Sequence, residues 1–153
     1  MALLPFRSKP AVPALPPGYV LEPESQPTAR AIDALLQACG EPSIPEERWM
    51  AALERSLWCL SVRREHDDML AGFVRATSDR ALNANLWNLC AHPGDSQGQV
   101  MAVLVHRSLA ILRRDLPGCS ISISAPPAAL QALKDQGFVL DPGGIRAMGL
   151  WLR

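Results

Sequence analysis

The stretch HPGDSQGQVMAVLV, residues 92–105, joins a proline-ended turn and a loop with two glycines to a long apolar run. A glycine loop at the start of a helix presents unpaired backbone N–H groups to an anion, and the helix dipole favours the negative charge. Glycine suits that position because a Cβ would keep the backbone away from a phosphate. The pattern is a weak signal by itself, so an ordinary connection between a strand and a helix remains an alternative.

The composition limits the classes of partner. The chain has 153 residues with 15 basic and 15 acidic side chains, so it has no excess of cations for binding a phosphate backbone. No apolar run reaches the roughly 20 residues that cross a bilayer. The opening MALLPFRSKP lacks the features of a secretory signal. We therefore expect one domain without a nucleic-acid or membrane partner, in the cytoplasm.

The cysteines and histidines do not predict a metal site. The four cysteines form no C-x-x-C pair, and the three histidines show no metal-ligand spacing. Cysteines in such a pattern are typically small buried apolar residues.

The periodicity of apolar residues predicts a mixed sheet covered by helices. Residues 1–17 contain five prolines and are expected to form a flexible tail, followed by one domain over 18–153. The predicted order is strand, two helices, three strands, helix, strand, helix and a final hairpin. The corresponding segments are YVLE, TARAIDALLQACG, PEERWMAALERSL, WCLSVRRE, DMLAGFVRATS, RALNANLWNLCAHP, VMAVLVHRSLAILRRD, CSISISA, PPAALQALKDQGF and VLDPGGIRAMGLWLR.

Four stretches, together with this order of elements, resemble one family. GFVRATSDRALNANLWNLCAHP, AILRRD, LKDQGF and DPGGIRAM are similar to the plastid and cyanobacterial branch of the GCN5-related N-acetyltransferases, the GNAT family. The similarity runs from Pro17 to the C-terminus and is strongest over 70–93 and 134–148. It implies an α/β (α+β) GNAT fold, in which about four helices flank a mostly antiparallel mixed sheet of six to seven strands. It also implies a cyanobacterial protein.

The resemblance assigns a site for acetyl-CoA. In this family a splayed strand pairs with the pantetheine arm, and the loop and helix that follow hold the pyrophosphate. The implied cofactor-binding residues are Leu89, Cys90, Ala91, Gln97, Gly98, Gln99, Val100, Met101 and Ala102. The branch typically reads DP-x-Y-Q-G-Q-G-L-G, and an ungapped placement from Pro93 puts its motif glycines on Gln99 and Met101. A one-residue deletion matches Gln97 and Gly98 but places the last glycine on Val100.

The acid–base positions also depart from the family pattern. The tyrosine that many GNAT enzymes place before the final Gly-Phe corresponds to Leu133, which cannot donate a proton. The position after Trp87, often acidic in this branch, is Asn88, and an amide is not a useful base. Histidine side chains titrate near neutral pH, so His92 is a candidate base, and a turn histidine is the alternative. His92 and Asn88 are the catalytic candidates, and Trp87 is a candidate wall of the acceptor groove.

Two functions remain open from the sequence. The first is an acetyl-CoA-dependent N-acetyltransferase that acts on a primary amine of a protein or a small molecule. The second is a GNAT-fold binding or scaffolding module without catalysis, because the departures all fall at the expected chemistry. The family resemblance further implies a homodimer.

Overall fold

The computed structural model describes residues 11–152, and these form a five-stranded sheet in the order β1-β2-β3-β4-β5. The first four strands are antiparallel neighbours in chain order, and β5 runs parallel to β4. The strands are β1 (Tyr19–Glu22), β2 (Trp58–Arg64), β3 (Met69–Ser78), β4 (Asn83–Ala91) and β5 (Ser120–Ile123). The predicted mixed α+β architecture is confirmed.

Four α-helices cover the two faces of this sheet. They are α1 (Ala29–Ala38), α2 (Glu46–Glu54), α3 (Gln97–Asp115) and α4 (Leu130–Asp135). The side chain of Thr28 accepts the Ala31 N–H at 3.1 Å and caps α1 as its sequence indicates. Pro45 precedes α2, and Glu46 and Glu47 lie in its first turn, where acidic side chains favour the helix dipole. Within residues 11–152, no helix is long and apolar enough to cross a membrane.

The predicted strand count is too high, because the final hairpin does not form in residues 139–152. The Asp-Pro-Gly-Gly turn exists as a 3-10 turn over Pro142–Gly144, with Asp141 in the left-handed region at a φ of 44°. The segment then runs along the open end of the sheet instead of pairing with β5. Its large apolar side chains are exposed: Val139, Leu140, Ile145, Met148, Leu150, Trp151 and Leu152. The predicted tail 1–17 lies in part outside the described residues.

The core has two layers, one on each face of the sheet. The larger layer packs α3 and α4 on the sheet and contains Leu86, Met101, Leu104 and Leu112. The smaller layer packs α1 and α2 on the opposite face, and its buried residues include Phe73. Strand β4 contributes to both layers, so its backbone is held from both sides where the site begins.

Candidate functional site

The site is a cleft where two parallel strands part. Strands β4 and β5 pair from Asn83 with Ser120 to Leu86 with Ile123, and beyond that point they separate. The separation opens a cleft of about 940 Å³ that reaches from the α1 side of the sheet to the α4 side. Its walls include Asn85–Cys90, Ile121–Pro126, Leu36, Cys39, Leu130, Leu133 and Lys134. The exposed Ser122 and Ser124 also line the cleft.

A β-bulge turns β4 at the point where the strands separate. Asn88 has a φ of 56°, in the left-handed region that asparagine tolerates better than most residues. The pairing with β3 shifts register there, and the extra residue changes which β4 side chains face each layer. The bulge therefore redirects the strand into the cleft.

Arg75 supports this bulge from the neighbouring strand. Its Nε donates to Asn88 Oδ1 at 2.7 Å, and one of its terminal nitrogens donates to the Ser56 hydroxyl at 3.4 Å. Its guanidinium lies 6.0 Å from the centre of the Trp87 ring. Partial burial lowers the pKa of Arg75, but an arginine remains charged at neutral pH. Asn88 therefore accepts a charge-assisted hydrogen bond and positions the strand, which is a different role from that of a base.

Past the bulge, the three residues of β4 expected to meet pantetheine point in different directions. Leu89 and Ala91 pack in the larger core layer, whereas Cys90 packs in the smaller one. The His92 N–H donates to the Ala71 carbonyl on β3 at 2.8 Å. Because neighbouring peptide groups of a strand face opposite edges, the backbone groups of Ala91 face away from β3, toward the edge opened by the separation.

The Ala91 carbonyl links β4 to two other elements. It accepts a hydrogen bond from Gln97 Nε2 at 3.0 Å and one from the Cys39 thiol at 3.3 Å. Gln97 is the first residue of α3, and Cys39 follows the last residue of α1. One peptide group thus fixes where α3 begins and where α1 ends relative to the cleft.

The start of α3 presents two backbone donors to solvent. No acceptor among the described residues takes the N–H of Gly98 or of Gln99, and Ser96 makes no capping hydrogen bond with its side chain. Both residues are exposed, and a Cβ added to Gly98 would meet no atom within 4 Å. No acidic side chain lies in the first turn, and the positive end of the helix dipole favours an anion there.

The rest of the predicted pyrophosphate segment is helical, and its buried side chains pack in the core. Residues 97–102 form the first turns of α3 instead of a loop. Val100 and Met101 are each 1% exposed and pack under the sheet, and Ala102 is half-buried. None of these side chains lines the cleft.

His92 does not share the cleft with Asn88. It lines a separate cavity of about 250 Å³ together with Tyr19, Arg64 and the loop 93–96. One of its ring nitrogens, Nδ1, lies 2.9 Å from the Pro93 carbonyl. The structure therefore brings the Asn88–Cys90 strand and the start of α3 together, but not the two catalytic candidates.

Asp33 positions the α1 side of the cleft and was not found from the sequence. Its carboxylate accepts the Ile44 N–H at 2.8 Å, the Ser43 hydroxyl at 2.7 Å and the Trp49 indole N–H at 3.2 Å. The Ile44 and Ser43 bonds hold the pKa of Asp33 below its usual value. These contacts fix the loop that carries Pro42 and Ile44 into the cleft wall. A periodicity analysis places Asp33 on the polar face of α1 and does not reveal this role.

Leu133 lies on α4 in the opposite wall, 3% exposed, beside the half-buried Phe138. The wall where many family members carry a proton donor is therefore apolar. Glu41, Lys134 and Asp141 also line the cleft.

Comparisons with known proteins agree with this geometry. The chain is 30% identical over 119 residues to an uncharacterised N-acetyltransferase, ycf52, of Porphyra purpurea, covering 76% of this chain and 68% of the relative. It is 32% identical over 127 residues to the histone acetyltransferase TAP1 of Glycine max, covering 76% of this chain and 54% of the relative. The crystal structure of a probable acetyltransferase, SA2161, from meticillin-resistant Staphylococcus aureus superposes with a TM-score of 0.71 at 17% identity. That superposition covers 88% of this chain and 98% of the other. No protein-family model matches the sequence.

The fold, with neighbouring parallel strands that part, is shared with solved structures described as acetyltransferases of the GNAT family. The chain belongs to the GCN5-related N-acetyltransferase family. It is a GNAT-type N-acetyltransferase with plastid and cyanobacterial relatives.

Proposed function

We propose that the protein transfers an acetyl group from acetyl-CoA to a primary amine. The observation that carries this proposal is a pair of unpaired N–H groups, on Gly98 and Gln99, at the start of a helix whose first residue, Gln97, hydrogen-bonds to the parting strand at Ala91. The loop lacks the motif glycines at Gln99, Val100 and Met101, but the two N–H groups and the parting strands are still present. The residues therefore suit a ligand with an anionic end and a long, narrow arm.

The pyrophosphate would lie at the start of α3. Each unpaired N–H can donate to a phosphate oxygen, and hydrogen bonds to a charged group are stronger than neutral ones. Gly98 lets the backbone approach closely because it has no Cβ. The role assigned to Gln97 changes, since its side chain donates to Ala91 and is better described as linking the helix to β4.

The pantetheine arm would follow the opened edge of β4 over Leu89–Ala91. The bulge at Asn88 sets the direction of this edge, and Arg75 holds the bulge. The thioester would then lie near Asn88–Cys90, between the walls from α1 and α4. A backbone N–H on this strand would stabilise the oxyanion formed when the amine attacks.

The reaction needs three proton transfers, and we assign all of them to water. The ammonium group loses a proton to solvent, and the neutral amine attacks the thioester carbonyl carbon. The nitrogen loses a second proton as the carbon–sulfur bond breaks, and the released CoA thiolate takes up a proton. Leu133 cannot protonate this thiolate, and His92 lies outside the cleft. Positioning of the two substrates supplies most of the acceleration in this scheme. Trp87, 40% exposed, would face the acceptor at the cleft mouth.

Release of free CoA in the presence of a panel of amines tests this function. Small amines, peptides with free N-termini and lysine-containing peptides cover the three acceptor classes. We expect CoA release that depends on one acceptor class. Binding of acetyl-CoA without release for any class would instead support the alternative of a noncatalytic GNAT-fold binding module, which the apolar Leu133 wall favours.

A further inference from the structure

The cleft wall contains two neighbouring thiols. Cys39 follows the last residue of α1, Cys90 lies on β4, and both line the cleft. Cys39 packs against the smaller core layer that contains Cys90, and its thiol donates to the carbonyl of Ala91, the residue after Cys90, at 3.3 Å. Two cysteines from distant parts of the chain therefore face each other beside the strand that we assign to pantetheine.

The two thiols differ in their exposure to solvent. Cys39 is partly exposed in the cleft, whereas Cys90 is 5% exposed and packs beside Phe73 in the smaller core layer. An oxidant of small-molecule size can reach Cys39 directly. Cys90 is shielded from such a molecule but adjoins the sulfur of Cys39.

The pKa values of the two thiols differ in the same sense as their exposure, with the more exposed Cys39 the more acidic. The neighbouring Cys90 side chain lowers the pKa of Cys39 to about 7, although partial burial and the nearby Glu41 act in the opposite direction. The pKa of Cys90 is raised by its interaction with Cys39 and by burial. Since the thiolate is the reactive form, Cys39 is the thiol that attacks first and Cys90 the one that follows.

The end of α1 borders open space at Gly40. Gly40, which follows Cys39, has a φ of 89°, and no atom lies within 4 Å of the position of its Cβ. Cys39 ends α1 but keeps the regular hydrogen bond from its N–H to the Leu35 carbonyl, at 3.1 Å. Bringing the two sulfurs to bonding geometry therefore needs a small adjustment at this helix end, because β4 is fixed by both core layers.

We propose that Cys39 and Cys90 are a redox modification site, a dithiol that closes to a disulfide between α1 and β4 in the cleft wall. The oxidant is a low-molecular-weight disulfide. The Cys39 thiolate attacks one of its sulfurs, forming a mixed disulfide and releasing one thiolate. Cys90, after losing its proton to solvent, attacks the Cys39 sulfur and expels the second thiolate, which takes up a proton. The protein loses two electrons and two protons, and the small disulfide becomes two thiols.

The bond would fix the α1 wall against β4 next to the thioester position. Its effect on acetyl transfer rests on the proposed function, whereas formation of the bond does not. A reductant reverses the step by the same exchange in the opposite direction.

The test treats the fully reduced chain with oxidised glutathione and counts the remaining thiols after alkylation. We expect two of the four cysteines to lose reactivity, no retained glutathione in the intact mass, and a cross-linked peptide pair containing Cys39 and Cys90. The Cys119→Ser variant is the matched control and should behave like the parent. Cys90→Ala should stop at a glutathione adduct on Cys39, and Cys39→Ser should lose no thiol at Cys90.

Three results would overturn the proposal: a stable glutathione adduct on the parent chain, a disulfide that includes Cys59 or Cys119 in place of this pair, or four reactive thiols after treatment. Peptide mapping of the parent chain decides this without any variant, so a variant that fails to fold does not affect the conclusion. Acetyl-CoA titration of the reduced chain is a separate measurement. If the chain forms the disulfide with oxidised glutathione but does not bind acetyl-CoA, the proposed function is wrong and the redox pair is confirmed.

Discussion

Gly72 on β3 is the point where the sheet and α3 approach most closely, so we expect Gly72→Ala to destabilise the fold. A Cβ there would lie 2.6 Å from Val100 Cγ1 and 2.9 Å from Leu104 Cδ1, well inside the roughly 3.5–4.0 Å of a favourable carbon contact. Val100 cannot turn away easily, because a β-branched side chain in a helix has one strongly preferred rotamer. The clash should cost about 3 kcal/mol, near the upper end for overpacking.

A smaller gain opposes this cost. Gly72 does not have a positive φ, so alanine accepts its backbone, and replacing a strand glycine recovers about 0.5–1 kcal/mol. The net loss in the free energy of unfolding should be about 2 kcal/mol, or roughly 4–8 °C in Tm for a chain of this size. Urea and thermal unfolding followed by circular dichroism measure both quantities.

Two further variants decide whether the reasoning holds. Gly98→Ala is the matched control, since its Cβ meets no atom within 4 Å, and it should be neutral or about 0.5 kcal/mol more stable. Adding Val100→Ala to Gly72→Ala should cost less than the sum of the single changes, because it removes the closest atom. Stability of Gly72→Ala equal to the parent, or strict additivity with Val100→Ala, would refute the close packing described here.

Three other predictions concern stability. Asp33→Ala should cost about 2–3 kcal/mol by removing a carboxylate that accepts several hydrogen bonds. Because the folded-state pKa of Asp33 is lowered, its contribution is present above the unfolded value and is lost as the pH falls through the folded value. Urea titrations between neutral pH and pH 3 should therefore show a smaller loss on acidification for the variant than for the parent, and equal losses would contradict this role. Ser108→Ala should stabilise by roughly 1 kcal/mol, since the buried hydroxyl has no partner among the described residues, and a lower Tm would show that the hydroxyl is satisfied. Closing the Cys39–Cys90 disulfide, a loop of roughly 50 residues, should raise stability by about 4 kcal/mol on the chain-entropy relation. Calorimetry with and without reductant checks this value, and no difference between the two states would contradict it.

The secondary structure was predictable in segments where the apolar residues follow a single spacing, that of a strand or that of a helix. The alternation of WCLSVRRE and DMLAGFVRATS and the long apolar run after Gln99 predict β2, β3 and α3, and the structure confirms all three. The final hairpin was predicted around the turn sequence Asp-Pro-Gly-Gly and is wrong for residues 139–152. A turn sequence does not supply a pairing partner, and after the 3-10 turn at Pro142–Gly144 the chain lines the cleft.

The framework of the candidate site was predictable only in outline. The resemblance and the order of elements predict a strand that parts from its neighbour, as β4 does from β5, whereas α3 begins at Gln97, three residues before its predicted start. Sequence cannot show that Gln97 donates to Ala91, that Arg75 holds the bulge at Asn88, or that Cys39 meets Cys90, because each contact joins segments brought together only by packing. The direction of His92 depends likewise on the turn at Pro93, which places it in the smaller cavity.

Calorimetric titration of acetyl-CoA tests most directly whether the start of α3 holds the donor. Three chains suffice: the parent, Gly98→Val, and Gly149→Val as a control glycine that also has no atom within 4 Å of its Cβ. We predict that the parent and Gly149→Val bind equally, and that Gly98→Val binds at least about tenfold more weakly, the loss of roughly one hydrogen bond to a charged group. Equal affinity of Gly98→Val and the parent, or no binding by the parent, would contradict the account.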